Sequence, residues 1–277
     1  MNRFVIEQGR VGALVLSALL AAPMVMSPVA AQQRRGDDWC RNERGGNSDR
    51  EEFCEVREFT VTATAGTFSV SGTNGGITVD GESRGDVRIL AKVVATADTD
   101  AEARALAAAV QLKPTSEEVE AVGPRTRNRQ GWSVSYHIYV PRALNLALRT
   151  TNGGIVISEM DSKVEFKTTN GGVKLSRVNG DIKGDTTNGG VDIDLDGTFW
   201  SGEGLDVATT NGGVKITVPE NYSARFEAST NNGGMNIDYP GVTLQGRRSR
   251  DISTQLGSGG APIRVRTSNG GVRLTRK

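Results

Sequence analysis

Asp192, Asp194, Asp196, Gly197 and Glu203 stand at the spacing of a calcium-binding helix–loop–helix loop, in which alternate carboxylates and a glycine turn wrap a hard cation. That loop joins two helices. Here Val191, Ile193 and Leu195 alternate with the aspartates, so the same residues also read as a strand with an acidic outer face. Nonhelical calcium binding at the strand's end stays open beside that reading. A second group is aromatic. Phe199 and Trp200 lie in a glycine-rich loop, and Tyr222 and Tyr239 follow strands at similar offsets, so stacking of these segments would gather them on one side. An exposed aromatic ridge stacks on sugars or packs on a partner protein; the alternative is that these rings cover the edge of the core.

Catalytic chemistry has thinner support. His137, the single histidine, falls on the polar face of a strand with no nucleophile pattern beside it. No Gly-x-Ser-x-Gly, P-loop or dinucleotide fingerprint occurs, and Gly257-Ser258-Gly259-Gly260 lacks the lysine and helix that phosphate binding requires, so no cofactor is implied. Asp192, Asp194 and Arg225 are of the types that act on acidic polysaccharides, although their spacing does not demand it. Arg247, Arg248 and Arg250 sit in a long polar excursion and read as a solvated loop.

Positioning these groups falls to a repeat. Thr-Asn-Gly-Gly recurs at Thr151, Thr169, Thr187 and Thr210, with looser copies at Thr73–Gly76, Asn231–Gly234 and Ser268–Gly271. The asparagines before the glycine pairs are Asn74, Asn152, Asn170, Asn188, Asn211, Asn232 and Asn269; from Asn152 to Asn232 the gaps are 18, 18, 23 and 21 residues, a solenoid-like length. Asn and Gly accept positive φ cheaply, which reads each unit as a chain reversal. Around each corner the hydrophobic period is two: Val164 and Phe166 before, Val173 and Leu175 after, with Gly184 as the one gap in the upstream column.

Asn-Gly between alternating runs is also a hairpin signal, so an antiparallel meander or sandwich competes with a parallel coil. Stacking the repeats by their corners gives outward columns Lys174, Asp192, Lys215 and Glu165, Lys183, Asp206. Both alternate in sign, which favours parallel neighbours ~4.8 Å apart. One stretch keeps a different period: Thr99 and Glu102 form a capping box, and Ala103, Leu106, Ala107 and Val110 a helical stripe ending before Pro114. With the alternating strand Trp132–Val140, this helix interrupts the repeat, as an insertion spanning 95–140, and reads as a cap on the core's N-terminal end. Arg273, Arg276 and Lys277 are expected to blunt the other end.

The 277 residues carry 33 basic and 32 acidic groups, and a net charge of +1 leaves no electrostatic footprint for nucleic acid. Thirty-five glycines against 3 Trp, 4 Tyr and 7 Phe suit many corners around a thin aliphatic core. Arg3 and Arg10 precede the apolar run Val11–Met26, and Val29-Ala30-Ala31 is a small-residue cleavage signal, so residues 1–31 read as a signal peptide. No later segment is apolar enough to span a bilayer, which leaves no membrane span after cleavage. Cys40 and Cys54, a lone pair 14 residues apart in a polar leader (32–58), are read as a disulfide worth about 3 kcal/mol in an oxidising compartment.

The segment Cys54-Glu55-Val56-Arg57-Glu58, the strand Trp132-Ser133-Val134-Ser135-Tyr136 and the serial Thr-Thr-Asn-Gly-Gly-Val units resemble the bacterial putative-adhesin domain family of unknown function, over roughly Phe53 to Lys277. The resemblance implies a right-handed, β-helix-like fold and an exported or envelope location, and it transfers no catalytic or binding residues. The expectation is therefore an all-β, single-domain parallel β-solenoid over 59–277, noncatalytic, in the periplasm or at the cell surface, engaging an envelope protein or a glycan. A polysaccharide-acting enzyme and a calcium-stabilised stalk are the alternatives.

Overall fold

The computed structural model describes residues 39–40, 49–242 and 250–277. The segment read as a signal peptide, most of the leader, and Arg247 and Arg248 lie outside these residues. The N-terminal part contributes β1 (Glu51–Thr62), β2 (Thr67–Asn74), β3 (Ile77–Glu82), β4 (Asp86–Ala97), helix α1 (Asp100–Ala109), β5 (Gln111–Leu112), β6 (Glu118–Val122) and β7 (Gly131–Pro141). Strand pairs follow: β8 (Asn145–Asn152) with β9 (Ile155–Ser158), β10 (Asp161–Asn170) with β11 (Val173–Ser176), and β12 (Asn179–Asn188) with β13 (Val191–Asp194). Then come β14 (Gly204–Asn211) with β15 (Val214–Val218), and β16 (Ala224–Asn232) with β17 (Met235–Asp238). Strand β18 (Asp251–Leu256) precedes the last pair, β19 (Pro262–Asn269) and β20 (Val272–Arg276).

These strands form two ten-stranded sheets. Sheet I runs β1-β4-β7-β3-β9-β11-β13-β15-β20-β17, and sheet II runs β18-β16-β19-β14-β12-β10-β8-β2-β6-β5. Each Asn-Gly-Gly is the corner at which the chain leaves sheet II and enters sheet I, so it joins strands of different sheets rather than a hairpin. Across the repeats the neighbours are parallel and in register: Val173 pairs with Ile155 on one side and Val191 on the other. The sheets are nonetheless mixed. β4 runs antiparallel to β1 and β7, β6 to β5, and β16 to β18, so a uniformly parallel stack is not what forms.

The order of the repeats also departs from the order of the chain. β19 and β20, last in sequence, lie between β14/β15 and β16/β17. The terminal Arg273, Arg276 and Lys277 therefore do not blunt the end of the stack; β17 and β18 do. Charge accounts for part of this. In chain order Asp206 would face Glu227, whereas the inserted pair puts Arg264 between them, and the outer column alternates through Glu165, Lys183, Asp206, Arg264 and Glu227.

Between the sheets runs one thin core of stacked aliphatic columns, with Ile155, Ile157, Leu175, Ile193, Ile216 and Leu274 fully buried. Gly184 interrupts its column because the Phe166 ring already fills the space: a Cβ on Gly184 would stand 2.4 Å from that ring. The helix forms as its capping box predicts, with the Glu102 amide donating to Thr99 Oγ1 at 3.2 Å. It packs on β1 and β4 through Ala103, Leu106 and Ala107. No basic residue lies in its last turn. Arg57 of β1 supplies one instead, donating to Val110 O at 2.5 Å and Ala107 O at 2.8 Å, where free carbonyls and the helix dipole favour a cation. The rest of segment 95–140 does more than cap. β7 enters sheet I beside β3, and β5 and β6 extend sheet II.

Candidate functional site

The corners are built by close approach rather than by left-handed backbone. Among the corner residues only Gly75 has φ in the positive region; none of the asparagines does. The left-handed non-glycine positions are Arg129, Glu159 and Arg177, and the last two directly follow β9 and β11, at the coil's other bend. What demands glycine is the neighbouring coil. A Cβ on Gly153, Gly171, Gly189, Gly212 or Gly270 would fall 2.0–2.1 Å from the carbonyl oxygen of the adjacent coil's first glycine. Each second glycine is looser: Gly154, Gly172, Gly190 and Gly213 would bring a Cβ only to 3.1–3.4 Å.

Two side-chain ladders hold this glycine column. The asparagine amides hydrogen-bond from coil to coil, Asn170 to Asn152 and Asn188 to Asn170 at 2.8 Å, and the chain of contacts runs from Asn74 to Asn232. The first threonine of each Thr-Thr pair turns inward, where Thr168 Oγ1 donates to Gly153 O at 2.8 Å and Thr186 Oγ1 to Gly171 O at 2.8 Å. Thr150, Thr209, Thr230 and Thr267 repeat the contact, and all six are buried. In the first coil Gly72 takes that position, and the Tyr136 ring packs beside it.

Beside the glycine column, on the outside of sheet I, lies an open groove of about 920 Å³. Its floor is the second glycines Gly172, Gly190, Gly213, Gly271 and Gly234, whose missing side chains leave the backbone bare. The floor's backbone groups are engaged between coils: Val173 N donates to Gly190 O at 2.9 Å, and Val191 N to Gly213 O at 2.9 Å. Lys174, Asp192, Lys215, Arg273 and Asn236 stand along it at successive strands. In the described structure none of the three cations, nor Asp192, makes an ion pair or side-chain hydrogen bond.

Sheet II differs. A second hollow, of about 580 Å³, lies over its outer face, and its charges are tied to one another: Lys167 to Asp185 at 3.2 Å and Arg266 to Asp206 at 2.8 Å. Lys183 meets Asp181 at 3.1 Å, and Arg264 meets Glu227 at 2.7 Å. The Arg264 guanidinium's hydrogen bond holds the Glu227 carboxyl below its usual range against the opposing effect of burial. Sheet II thus spends all but one of these charges on itself, Arg149 being the exception, while the sheet I groove leaves three cations unspent.

The residues singled out from sequence fall as follows. Asp192 lines the sheet I groove, Asp194 pairs with Lys277 at 2.9 Å, and Glu203 lines a hollow over sheet II with Asp181 and Asp206. Among the described residues no three His, Cys, Asp or Glu side chains are grouped to hold a metal. The aromatic ridge does not form. Trp200, Tyr222 and Tyr239 are buried, with Trp200 Nε1 donating to Gly180 O at 3.0 Å and the Tyr239 hydroxyl to Tyr222 O at 2.6 Å; only Phe199 is exposed. Burial raises the Tyr222 phenol far above its ordinary range.

His137 is not simply solvated. Its Nε2 lies 2.6 Å from Asp80 Oδ2, and the other carboxylate oxygen of Asp80 accepts from the Ser158 hydroxyl. The carboxylate stands between imidazole and hydroxyl, so Nε2 does not contact the Ser158 hydroxyl directly, as a nucleophile–base pair would. The ring instead stacks on Tyr139 at 4.5 Å and meets Trp39 edge-on at 6.2 Å, next to the Cys40–Cys54 disulfide that ties Trp39's segment to β1.

An all-β stack of Asn-Gly-Gly corners between two mixed sheets is the class this geometry defines. The chain belongs to the Toastrack family, DUF4097, whose profile matches residues 42–275, and the resemblance read from the Thr-Asn-Gly-Gly units is thereby borne out. Among solved structures, a putative cell adhesion protein from Clostridium sporogenes is 12% identical, covering 80% of this chain and 100% of its own, with a TM-score of 0.43. A putative adhesin from Bacteroides fragilis is 13% identical, covering 81% of this chain and 97% of its own, with a TM-score of 0.30. A putative lipid binding protein from Parabacteroides distasonis is 10% identical, covering 84% and 98%, with a TM-score of 0.31. No curated protein matches the chain.

Proposed function

We propose that this chain is an exported, noncatalytic β-scaffold that holds another component of the cell envelope or surface in the sheet I groove. One observation carries the reading: Lys174, Lys215 and Arg273 line a bare glycine floor without partners, whereas on the opposite sheet Lys167, Lys183, Arg264 and Arg266 are all paired and only Arg149 of the cations lining its hollow is not. Unpaired, exposed cations on a rigid floor are available to a ligand at little reorganisation cost. Noncatalytic action is supported by the groove's single carboxylate, Asp192, since glycoside hydrolysis ordinarily takes two.

Export rests on the reading of residues 1–31 as a signal peptide and is in keeping with the Cys40–Cys54 disulfide, which belongs to an oxidising compartment. No described helix is long and apolar enough to cross a membrane. The finer reading of the fold is one domain of right-handed coils running to 277, which takes in β1 from Glu51 rather than starting at 59, behind the short segment that the disulfide ties to it. Purified full-length chain should bind envelope fractions of its own cells. The triple variant Lys174→Ala/Lys215→Ala/Arg273→Ala should lose that binding while Lys167→Ala keeps it; equal binding by all three proteins refutes the groove. Protease shaving of intact cells separates cell-surface from periplasmic placement.

A further inference from the structure

We infer that the sheet I groove takes a linear acidic glycan with its carboxylates on alternate sugars. The inference rests on the groove reading above and names its ligand. Parallel strands repeat every ~4.8 Å, so each coil offers one side chain to each successive unit of a chain lying across the strands. A pyranose unit is close to that length. Along the groove the order is Lys174, Asp192, Lys215, Arg273, then Asn236, with Lys174 and Lys215 two strands apart at ~9.6 Å. Carboxylates on alternate sugars meet the two lysines, and the neutral sugar between them presents hydroxyls that Asp192 can accept.

The same order discriminates against other polyanions. A chain charged on every unit, such as a polygalacturonate, must set one anion against Asp192 while others meet the cations, whereas a chain charged on alternate units leaves Asp192 facing a neutral sugar. Arg273, one strand beyond Lys215, faces a neutral sugar in this register, and its planar fork can donate to that sugar's hydroxyls. An extended peptide finds no strand to pair with here, because the floor's amides and carbonyls are already bonded between coils. The floor itself suits a sugar face: it is flat, without side chains at Gly172, Gly190 and Gly213, and bordered by the side chains of Val156 and Met235.

The test is calorimetric titration of the full chain with a hyaluronan decasaccharide, in which glucuronate alternates with a neutral sugar. Controls are a chitin oligomer, an oligogalacturonate of similar length and sodium polyphosphate. Hyaluronan should bind at least about tenfold tighter than each control, and Lys174→Ala/Lys215→Ala should weaken it by about tenfold or more. Lys167→Ala on sheet II should change it less than about twofold. Asp192→Lys should shift the preference towards oligogalacturonate. Hyaluronan binding no tighter than the chitin oligomer, or tightest binding by polyphosphate, overturns the inference. If hyaluronan fails while the lysine variants still abolish binding to envelope fractions, the ligand class is wrong and the groove stands. If the lysine variants change neither, both fall.

Discussion

Replacing Gly171 with alanine tests what holds the coils together. Its new Cβ would lie 2.0 Å from Gly153 O, 2.4 Å from Gly153 C and 2.8 Å from Gly154 N, all backbone atoms of the adjacent coil. Ordinary contact needs about 3.5 Å, so the two coils must part by ~1.5 Å at this corner. Four hydrogen bonds cross that gap: Gly153 N to Asn170 O, Ile155 N to Gly172 O, Thr168 Oγ1 to Gly153 O, and Asn170 Nδ2 to Asn152 Oδ1. At about 1 kcal/mol net for each, loosening them costs roughly 4 kcal/mol, and the lower entropy of the unfolded alanine chain returns at most ~1 kcal/mol. Gly172→Ala brings its Cβ only to 3.4 Å from Gly190 O, so repulsion and entropy nearly cancel. The two variants should differ by about 3 kcal/mol, or roughly 6–12 °C in Tm for a chain of this size, by calorimetry or circular dichroism. Losses equal to within about 1 kcal/mol, or a larger loss at Gly172, would refute the close-approach account.

Thr186→Val, which removes the hydroxyl that donates to Gly171 O at 2.8 Å, should destabilise by about 1–2 kcal/mol in urea titration, while Thr187→Val should stay within ~0.5 kcal/mol. The inserted last pair of strands predicts that Ala208→Cys/Arg266→Cys, which are register partners, cross-links intramolecularly on oxidation, as nonreducing mass spectrometry will show. Ala208→Cys/Ser229→Cys, which chain-order stacking would place together, should not cross-link. Tyr136 buries a hydroxyl without a hydrogen-bond partner, and burial raises its phenol well above the ordinary range. Tyr136→Phe should therefore leave thermal stability unchanged or raise it by about 1 kcal/mol.

Much of the fold was legible because the hydrophobic period changes at recognisable places. The columns around Val173 and Val191, the Thr99 cap and the Cys40–Cys54 pair follow from residue types alone. The order of the coils did not, since the Asn-Gly-Gly corners are nearly identical and any could adjoin any other. A signal was present in the outer column, where chain order would have put Asp206 against Glu227. The inward threonines were legible too: Thr168 continues the parity of Val164 and Phe166, whereas Thr169 does not. Corner glycine was assigned to positive φ because that is its local use; the requirement actually comes from a neighbouring coil that sequence does not show. Loop aromatics carry no period, so nothing marked Trp200, Tyr222 and Tyr239 as inward. The groove stayed hidden because its signature is the absence of ion pairs around Lys174, Lys215 and Arg273, which only the geometry of both sheets reveals.

The most direct test of the central claim is lysine footprinting by a soluble acetylating reagent, read by mass spectrometry with and without the cell's own envelope polysaccharide. Lys174 and Lys215 should be acetylated readily in the free chain and protected in the complex, while Lys167 and Lys183 on sheet II change little. Protection of Lys167 and Lys183 with Lys174 and Lys215 left reactive would contradict the account, and so would an identical pattern with and without the polysaccharide.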